Sequence, residues 1–509
     1  MRIASSWRAV GLWAIFAIAP LSGAPAHTES AVEQKFAEVR RNPEELYAFL
    51  FRMPKGGDLH VHLTGAVYAE SYLRAAAADG LCVNLRTYAL VAPAAGSSCG
   101  ENAVAAARAQ SDNALANAVI DSLSMRNFVP GRESGHDHFF AAFPKFGPFK
   151  PEHRGEFMAE VIRRAAEQNE SYLEVMVLNG AAANALGSRA GFTGDFDAAK
   201  EKLMAGGLPQ VVDGMRARVE QLEREGRAAL GCERTPDSAP CRVVVRYLYQ
   251  VLRESPREQV FAQVLAGFML ASLDPRVAGV NFVQPEDGII SMRDYHVQMQ
   301  MVDFAKRLYP QVHITLHAGE LAAGLVPPEG LRFHIREAVE IGHAERIGHG
   351  VSVMYETDAA GLLDLMKRRH ILVEINLTSN DLILGVRGQE HPLPIYRKHD
   401  VPVALSTDDE GVSRTHLTEE YRRAVLAYHL GYTDLREMAR NSLEYSFLAG
   451  ASYWRDGAYR VPVAACAATI QSAVCQTFLK ANDKARLQAD LEDRFRAFER
   501  SYVTIHAQP

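Results

Sequence analysis

His60 and His62 stand two residues apart in the stretch Met53-Pro-Lys-Gly-Gly-Asp-Leu-His-Val-His-Leu-Thr-Gly65. In an extended segment successive side chains alternate faces, so both imidazoles point one way and Val61 the other. Two imidazoles converging on one point can hold a divalent cation, and the glycines around them leave room for ligand or substrate to approach. Two solvated histidines on a strand would show the same spacing, so the remaining chemically capable residues decide. His317-Ala-Gly-Glu320, Arg346-Ile-Gly-His349-Gly350 and Ser406-Thr-Asp408-Asp409 each place imidazoles or carboxylates at the end of a short apolar run. Singly these are modest: strand-end histidines are often structural, and adjacent aspartates commonly start a helix as cap and first-turn acids.

The elements that must position these groups form a rhythm. Short apolar runs occur at 58–62, 172–178, 242–251, 277–283, 312–316, 346–348, 371–375 and 401–405, each followed by helix-like sequence. Eight such units are the count of a (β/α)8 TIM barrel, whose chemistry gathers at the C-terminal ends of its strands. Four strand ends then offer imidazoles and carboxylates to one mouth. An open doubly wound sheet is the competing architecture, but neither a Gly-x-Gly-x-x-Gly nor a Walker-type loop is present.

Before the first strand, Val32, Phe36, Val39 and then Leu46, Phe49, Leu50 recur at helical spacing, with Asn42-Pro43-Glu44 as a helix start between them. After His62, residues 64–168 lack strong strand signals and carry Ala-rich helical runs, so they read as a helical insertion and a candidate lid. Within it, His136 and His138 repeat the His-x-His spacing. No apolar strand run precedes them, and Phe139, Phe140, Phe143 and Phe146 point to an aromatic lid rather than a second metal site.

The 509 residues are 48% hydrophobic and 23% charged, an ordinary globular balance, and the net charge of −6 with no Lys/Arg block argues against nucleic acid as partner. Residues 1–26 read as an export signal: Arg2 and Arg8, an apolar core over 9–19, and Ala24-Pro25-Ala26 as the cleavage site. Cleavage after Ala26 would start the mature chain at His27 and take its charge from −6 to −8. An uncleaved membrane anchor is the alternative. The six cysteines fall in neighbouring couples, Cys82 with Cys99, Cys232 with Cys241 and Cys466 with Cys475, and proximity makes these three local disulfides the expected pairing. Periplasmic or secreted residence follows.

The motifs at 53–65, 317–320, 346–350 and 406–409, in that order along the chain, resemble those of the metal-dependent adenosine deaminase family of the amidohydrolase superfamily. The signal segment, the Met-Pro-Lys-Gly-Gly lead-in and the cysteine-bearing insertion are similar to the secreted, growth-factor-related branch. The resemblance implies one Zn²⁺ held by His60, His62, His317 and Asp408, with a coordination position left for water. It implies that Glu320 gives a proton to the purine ring nitrogen, that His349 orients the attacking water and relays its proton, and that Asp409 hydrogen-bonds the ring's imidazole edge. Two departures concern the substrate. Gln284 stands where the family usually has a glycine whose N–H meets the purine, and Thr64 where some members hold the ribose with an acid.

The implied reaction is hydrolytic deamination of adenosine or 2′-deoxyadenosine, with adenine or a 5′-modified adenosine as related substrates and a non-catalytic nucleoside-binding protein as the alternative class. A two-metal centre is disfavoured because the fourth strand, 277–283, has no lysine to bridge the ions. The expected division is N-terminal helices over 27–52, the barrel over 53–450 and a C-terminal helical extension over 451–509. The expected partner is a small-molecule purine nucleoside, with no nucleic acid, no membrane after signal cleavage, and a homodimer as the candidate assembly.

Overall fold

The computed structural model describes residues 31–94, 99–177 and 180–503; the expected export segment, 1–26, lies outside them. The strands are β1 (Gly56–His62), β2 (Cys82–Asn84), β3 (Leu90–Val91), β4 (Ala103–Ala105), β5 (Glu170–Val177), β6 (Val244–Leu252), β7 (Val277–Val283), β8 (His313–Ala318), β9 (Arg346–His349), β10 (Leu372–Ile375) and β11 (Val403–Leu405). β1 and β5 to β11 pair in chain order, all parallel. β11 then meets β1: Asp408 N–H donates to the His60 carbonyl at 2.9 Å and His62 N–H to the Asp408 carbonyl at 3.0 Å. The result is the expected (β/α)8 TIM barrel, with helices between its strands. β1 and β5 are buried along their whole lengths, as strands between a filled interior and an outer helical layer must be.

The lead-in forms the two expected helices, Ala31–Val39 and Pro43–Arg52. Asn42 caps the second by accepting from Glu44 N at 3.0 Å and Glu45 N at 3.3 Å, with Pro43 at the first helical position. At its far end buried Lys55 donates to the carbonyls of Leu50 (2.6 Å), Met53 (3.0 Å) and Gln168 (2.7 Å), tying the lead-in to the residues before β5. The last helix, Asp483–Val503, returns to this region, where Phe498 and Tyr502 pack on Phe49.

The insertion after β1 is mostly helical, but it also holds a small antiparallel sheet in the order β3-β2-β4. Its strands are two or three residues long, too short to show an alternating pattern. The insertion touches the loops that follow three barrel strands. His136 Nε2 lies 2.9 Å from Asp287 after β7, Met125 N–H donates to Val412 O after β11, and helix Gly135–Phe140 packs on helix Leu377–Leu384 after β10. It therefore lies over the C-terminal face of the barrel. His136 and His138 sit on a helix, where residues two apart diverge. His136 goes to Asp287 and His138 to the Ser124 carbonyl and Glu133, so they share no centre. Phe139 is buried among the rings of Phe140 and Phe143.

All three expected disulfides are present, Cys82–Cys99, Cys232–Cys241 and Cys466–Cys475. No helix among the described residues is long and apolar enough to cross a membrane.

The barrel interior carries a charged brace. Arg346, 1% exposed, donates to Glu174 at 2.5 Å and to Glu374 at 2.6 Å, with its guanidinium 3.8 Å from the centre of the Phe447 ring. Removing one partner strands the others as uncompensated buried charge. Arg346→Met is therefore expected to cost about 3–5 kcal/mol in urea unfolding at constant metal occupancy. A loss under about 1 kcal/mol, the size of a surface pair, would show that the brace adds nothing.

Candidate metal centre and active site

His60, His62, His317, Glu320, His349, Asp408 and Asp409 come together at the C-terminal ends of β1, β8, β9 and β11, and all are buried. His60 Nε2 lies 3.0 Å from His317 Nε2 and 3.5 Å from Asp408 Oδ1; His62 Nε2 lies 3.2 Å from His317 Nε2 and 3.2 Å from Asp408 Oδ1. Four ligand atoms at about 2.1 Å around a tetrahedral zinc stand about 3.4 Å apart, so these spacings fit one ion.

The hydrogen bonds behind the rings say which nitrogens carry protons. Asn281 Oδ1 already accepts from His317 N–H at 3.1 Å, so the Nδ1 of His317, 2.9 Å from the same oxygen, must also donate. His60 Nδ1 faces Glu374 Oε2 at 2.7 Å; burial opposes that carboxylate's charge, but Arg346 and His60 outweigh it and hold the pKa down at about 2. Both Nε2 atoms then present lone pairs to each other at 3.0 Å, an arrangement that needs a cation between them. The donor set fits a divalent metal.

His60, His317, His349 and Asp408 form one group of potential metal donors, and His62, Asp408 and Asp409 another. The tautomer of His349 separates ligand from neighbour. Leu393 N–H donates to His391 Nδ1 (3.1 Å), so His391 donates from Nε2 to Asn380 Oδ1 (3.0 Å), and the Asn380 amide NH2 donates to His349 Nδ1 (2.9 Å). His349 is left with its proton on Nε2, 3.8 Å from Asp408 Oδ2. Burial lowers its pKa to about 3, so the ring is neutral and a donor on the metal side, which is unsuited to ligation. His62 Nε2, 3.2 Å from both His317 Nε2 and Asp408 Oδ1, stands at ligand spacing, and it can ligate with the Gln250 amide, 3.1 Å from its Nδ1, turned so that the amide oxygen takes the ring proton.

Glu320 Oε1 lies 3.7 Å from His349 Nδ1. Burial raises the Glu320 carboxyl well above the usual range, and the charges of Asp408 and Glu286 add to it. Asp409 is raised likewise, by burial and then by Asp408, and its Oδ1 has no hydrogen-bond partner among the described residues. A Cβ on Gly65 would lie 1.4 Å from that oxygen, so only glycine fits beside Asp409. His349 and Asp408 adopt φ of +68° and +64°, left-handed values that non-glycine residues rarely take and that concentrate at functional sites.

Thr64 and Gln284 are not drawn into the cluster. Thr64 is exposed on the short helix Leu63–Ala66. Gln284, at φ +84°, keeps the backbone form that suits glycine, but its side chain is exposed and accepts from Glu254 N–H at 3.0 Å. Its bulk therefore points along the loop.

The supporting groups went unread in the sequence: Glu374 behind His60, Asn281 behind His317, Ser379 donating to Asp408 Oδ2 at 2.7 Å, and Asp58, whose Oδ2 accepts from Thr407 N and Oγ1. Glu374 and Asn281 are single polar residues inside apolar strands. A strand buried on both faces must satisfy such a residue, and that was the available signal.

The family model for adenosine deaminase matches residues 149–452. This chain belongs to the adenosine deaminase family. The adenosine deaminase of Clostridium perfringens is 28% identical over 244 residues, 47% of this chain and 61% of that protein. The adenosine deaminase of Salmonella typhi is 39% identical over 138 residues, 27% of this chain and 38% of its own. These alignments span less than two thirds of either relative. Among solved structures, Arabidopsis ADAL complexed with IMP shares the fold at TM-score 0.52 and 18% identity, covering 88% of this family member and 99% of ADAL. A Burkholderia ambifaria amidohydrolase with bound Zn does so at TM-score 0.55 and 17% identity, covering 90% and 94%.

Proposed function

We propose that this family member hydrolyses adenosine or 2′-deoxyadenosine to inosine or 2′-deoxyinosine and ammonia, using one zinc ion. The observation that carries the reading is a buried carboxyl, Glu320, set 3.7 Å from His349 beside four converging metal donors, where burial and the neighbouring acids push its pKa up. His60, His62, His317 and Asp408 hold the ion, which when bound supplies an acidified water for attack on the carbon bearing the amino group. Glu320 delivers its proton to the adjacent ring nitrogen, which makes that carbon electrophilic; of the attacking water's two protons one restores the Glu320 carboxyl and the other leaves with the amino group as ammonia when the C–N bond breaks. His349, protonated on Nε2, orients the water by donating to its oxygen; the proton relay expected of it would need the other tautomer. Asp409, whose Oδ1 has no other partner among the described residues and whose carboxyl burial pushes up, shares a hydrogen bond with the imidazole edge of the purine. A protein that only bound nucleosides would have no use for this proton-transfer set.

Among the described residues no basic cluster lies at these strand ends, so AMP should be a poor substrate. Ultraviolet assays of adenosine, deoxyadenosine, adenine, methylthioadenosine and AMP test the assignment, and preference for AMP or for a non-purine amide would overturn it. Gly65→Ala is expected to displace Asp409 and lower kcat/KM by about 10²-fold with the metal retained, because a 1 Å misplacement at a reacting centre costs that much. An unchanged kcat/KM would remove Asp409 from the reaction.

We also infer export to the periplasm or the medium, on the three disulfides and the residue pattern of 1–26. Intact mass should place the mature N-terminus at His27 with no free thiol; a chain still beginning at Met1 would count against it. The division into lead-in, barrel with lid, and C-terminal extension, and assembly as a homodimer, belong to the same reading; light scattering tests the dimer.

A further inference from the structure

The turn His317-Ala-Gly-Glu320 carries both a metal donor and the proposed proton donor, and its backbone is held from outside at nearly every polar atom. Asn281 Oδ1 takes His317 N–H (3.1 Å), Arg253 Nη2 donates to His317 O (2.8 Å), and Gly350 N–H donates to Ala318 O (3.1 Å). Ser352 N–H donates to Gly319 O at 3.0 Å. The last two amides, Gly319 N–H and Glu320 N–H, both go to one carboxylate, Glu286, at 2.9 Å on Oε1 and 2.7 Å on Oε2. Gly319 has φ +76°, and a Cβ there would stand 2.6 Å from Ile335 Cδ1, so the turn has no slack of its own.

We propose that Glu286 is a positioning residue for deamination, acting through Glu320: by gripping the consecutive amides of Gly319 and Glu320 it fixes the peptide plane from which the Glu320 side chain leaves. The inference rests on the role given to Glu320 above. Glu286 is 1% exposed and reaches from the loop after β7 to the loop after β8. Its own aim is fixed in turn, since His334 Nδ1 lies 2.6 Å from Oε1, and the His334 ring stacks on Tyr295 at 3.8 Å while accepting the Tyr295 hydroxyl on its carbonyl at 2.8 Å. Burial opposes a charge on Glu286, but His334, Arg253 and the Gly319 amide outweigh it and keep the group ionised. An ionised carboxylate accepts at both oxygens, which two facing N–H donors require. Glutamine keeps the shape but turns an NH2 towards one of those donors, so the turn must shift to relieve it. The neighbouring metal donor His317 has its own partners in Asn281 and Arg253, so a shift confined to Gly319 and Glu320 spares the metal.

The test is a double-mutant cycle on the zinc-loaded protein with adenosine: wild type, Glu286→Gln, Glu320→Gln and the double variant, with zinc per chain and the inosine Kd measured on each. Glu286→Gln is expected to lower kcat about 30- to 100-fold while KM, inosine Kd and zinc content stay within about 3-fold. In the Glu320→Gln background the same substitution should lower the residual rate by less than about 3-fold, because the group it positions is already disabled. An equal loss in both backgrounds, a loss lying mainly in KM or zinc content, or an undiminished rate would overturn the proposal. If Glu286→Gln does not fold, His334→Leu, which removes the donor on Oε1, is read in the same cycle by the same criterion. Failure of the underlying reading looks different: Glu320→Gln itself would then turn over at the wild-type rate.

Discussion

Glu320→Gln is expected to retain one zinc per chain and near-normal adenosine binding while losing about 10³-fold in kcat, within the range that general acid catalysis contributes. The amide preserves the volume of the carboxyl and its place after Gly319, but it has no proton to give. The pH profile supplies a second signature. Burial and the neighbouring acids lift the Glu320 carboxyl well above the ordinary range, so its active, protonated form persists beyond the usual carboxylate titration and is lost as pH rises through the raised pKa. The wild type should therefore show an alkaline limb in kcat assignable to this group, and the variant's residual rate should lack it. A glutamine variant turning over within about 3-fold of wild type would reassign the acid.

His60→Ala and Asp408→Ala are expected to lose metal and activity together, since each removes one of the four proposed ligands and should cost more than the roughly 10- to 100-fold that an outer partner is worth. Glu374→Gln provides the graded comparison. It leaves all four donor atoms in place but replaces the carboxylate on His60 Nδ1 by an amide and leaves Arg346 with Glu174 as its one carboxylate, so metal affinity, for which such outer partners are worth about 10- to 100-fold, is read on a variant shown to be folded. Zinc titration against a competing chelator separates the two effects. Two ions per chain, or full activity after exhaustive chelation, would refute the single-ion centre.

The barrel and the reactive residues were legible in the sequence for one reason. Parallel barrel strands are apolar runs, so the polar residues at their ends, such as His317 after Ile314-Thr-Leu316, stand out against them. The groups that hold those residues were not legible, because their partners lie far off in the chain: Glu374 reaches His60 across 314 positions, and Glu286 reaches Glu320 across 34. Local pattern carries no record of such pairings. Gln284 shows the converse limit. Its position in the motif was readable, but the turn of its side chain onto Glu254 N–H depends on a neighbouring loop. The antiparallel sheet of the insertion leaves no readable alternation in the sequence, because β3 is two residues long.

The backbone bonds that join His60, His62 and Asp408 also set when the molecule can mature. The ribbon of strands becomes a ring only where residues near position 60 meet residues near 408, and the atoms beside that junction are three of the four proposed metal donors. A nascent chain that has made β1 through β10 owns His60, His62 and His317 but neither a closed ring nor a carboxylate to complete the set. Because contacts so distant along the chain form late, loading of the ion should follow docking of the final strand. Metal uptake in a refolding experiment would thus serve as a clock for completion of the fold, and hydrogen exchange at the His62 and Asp408 amides would be the first protection lost when the ion is withdrawn.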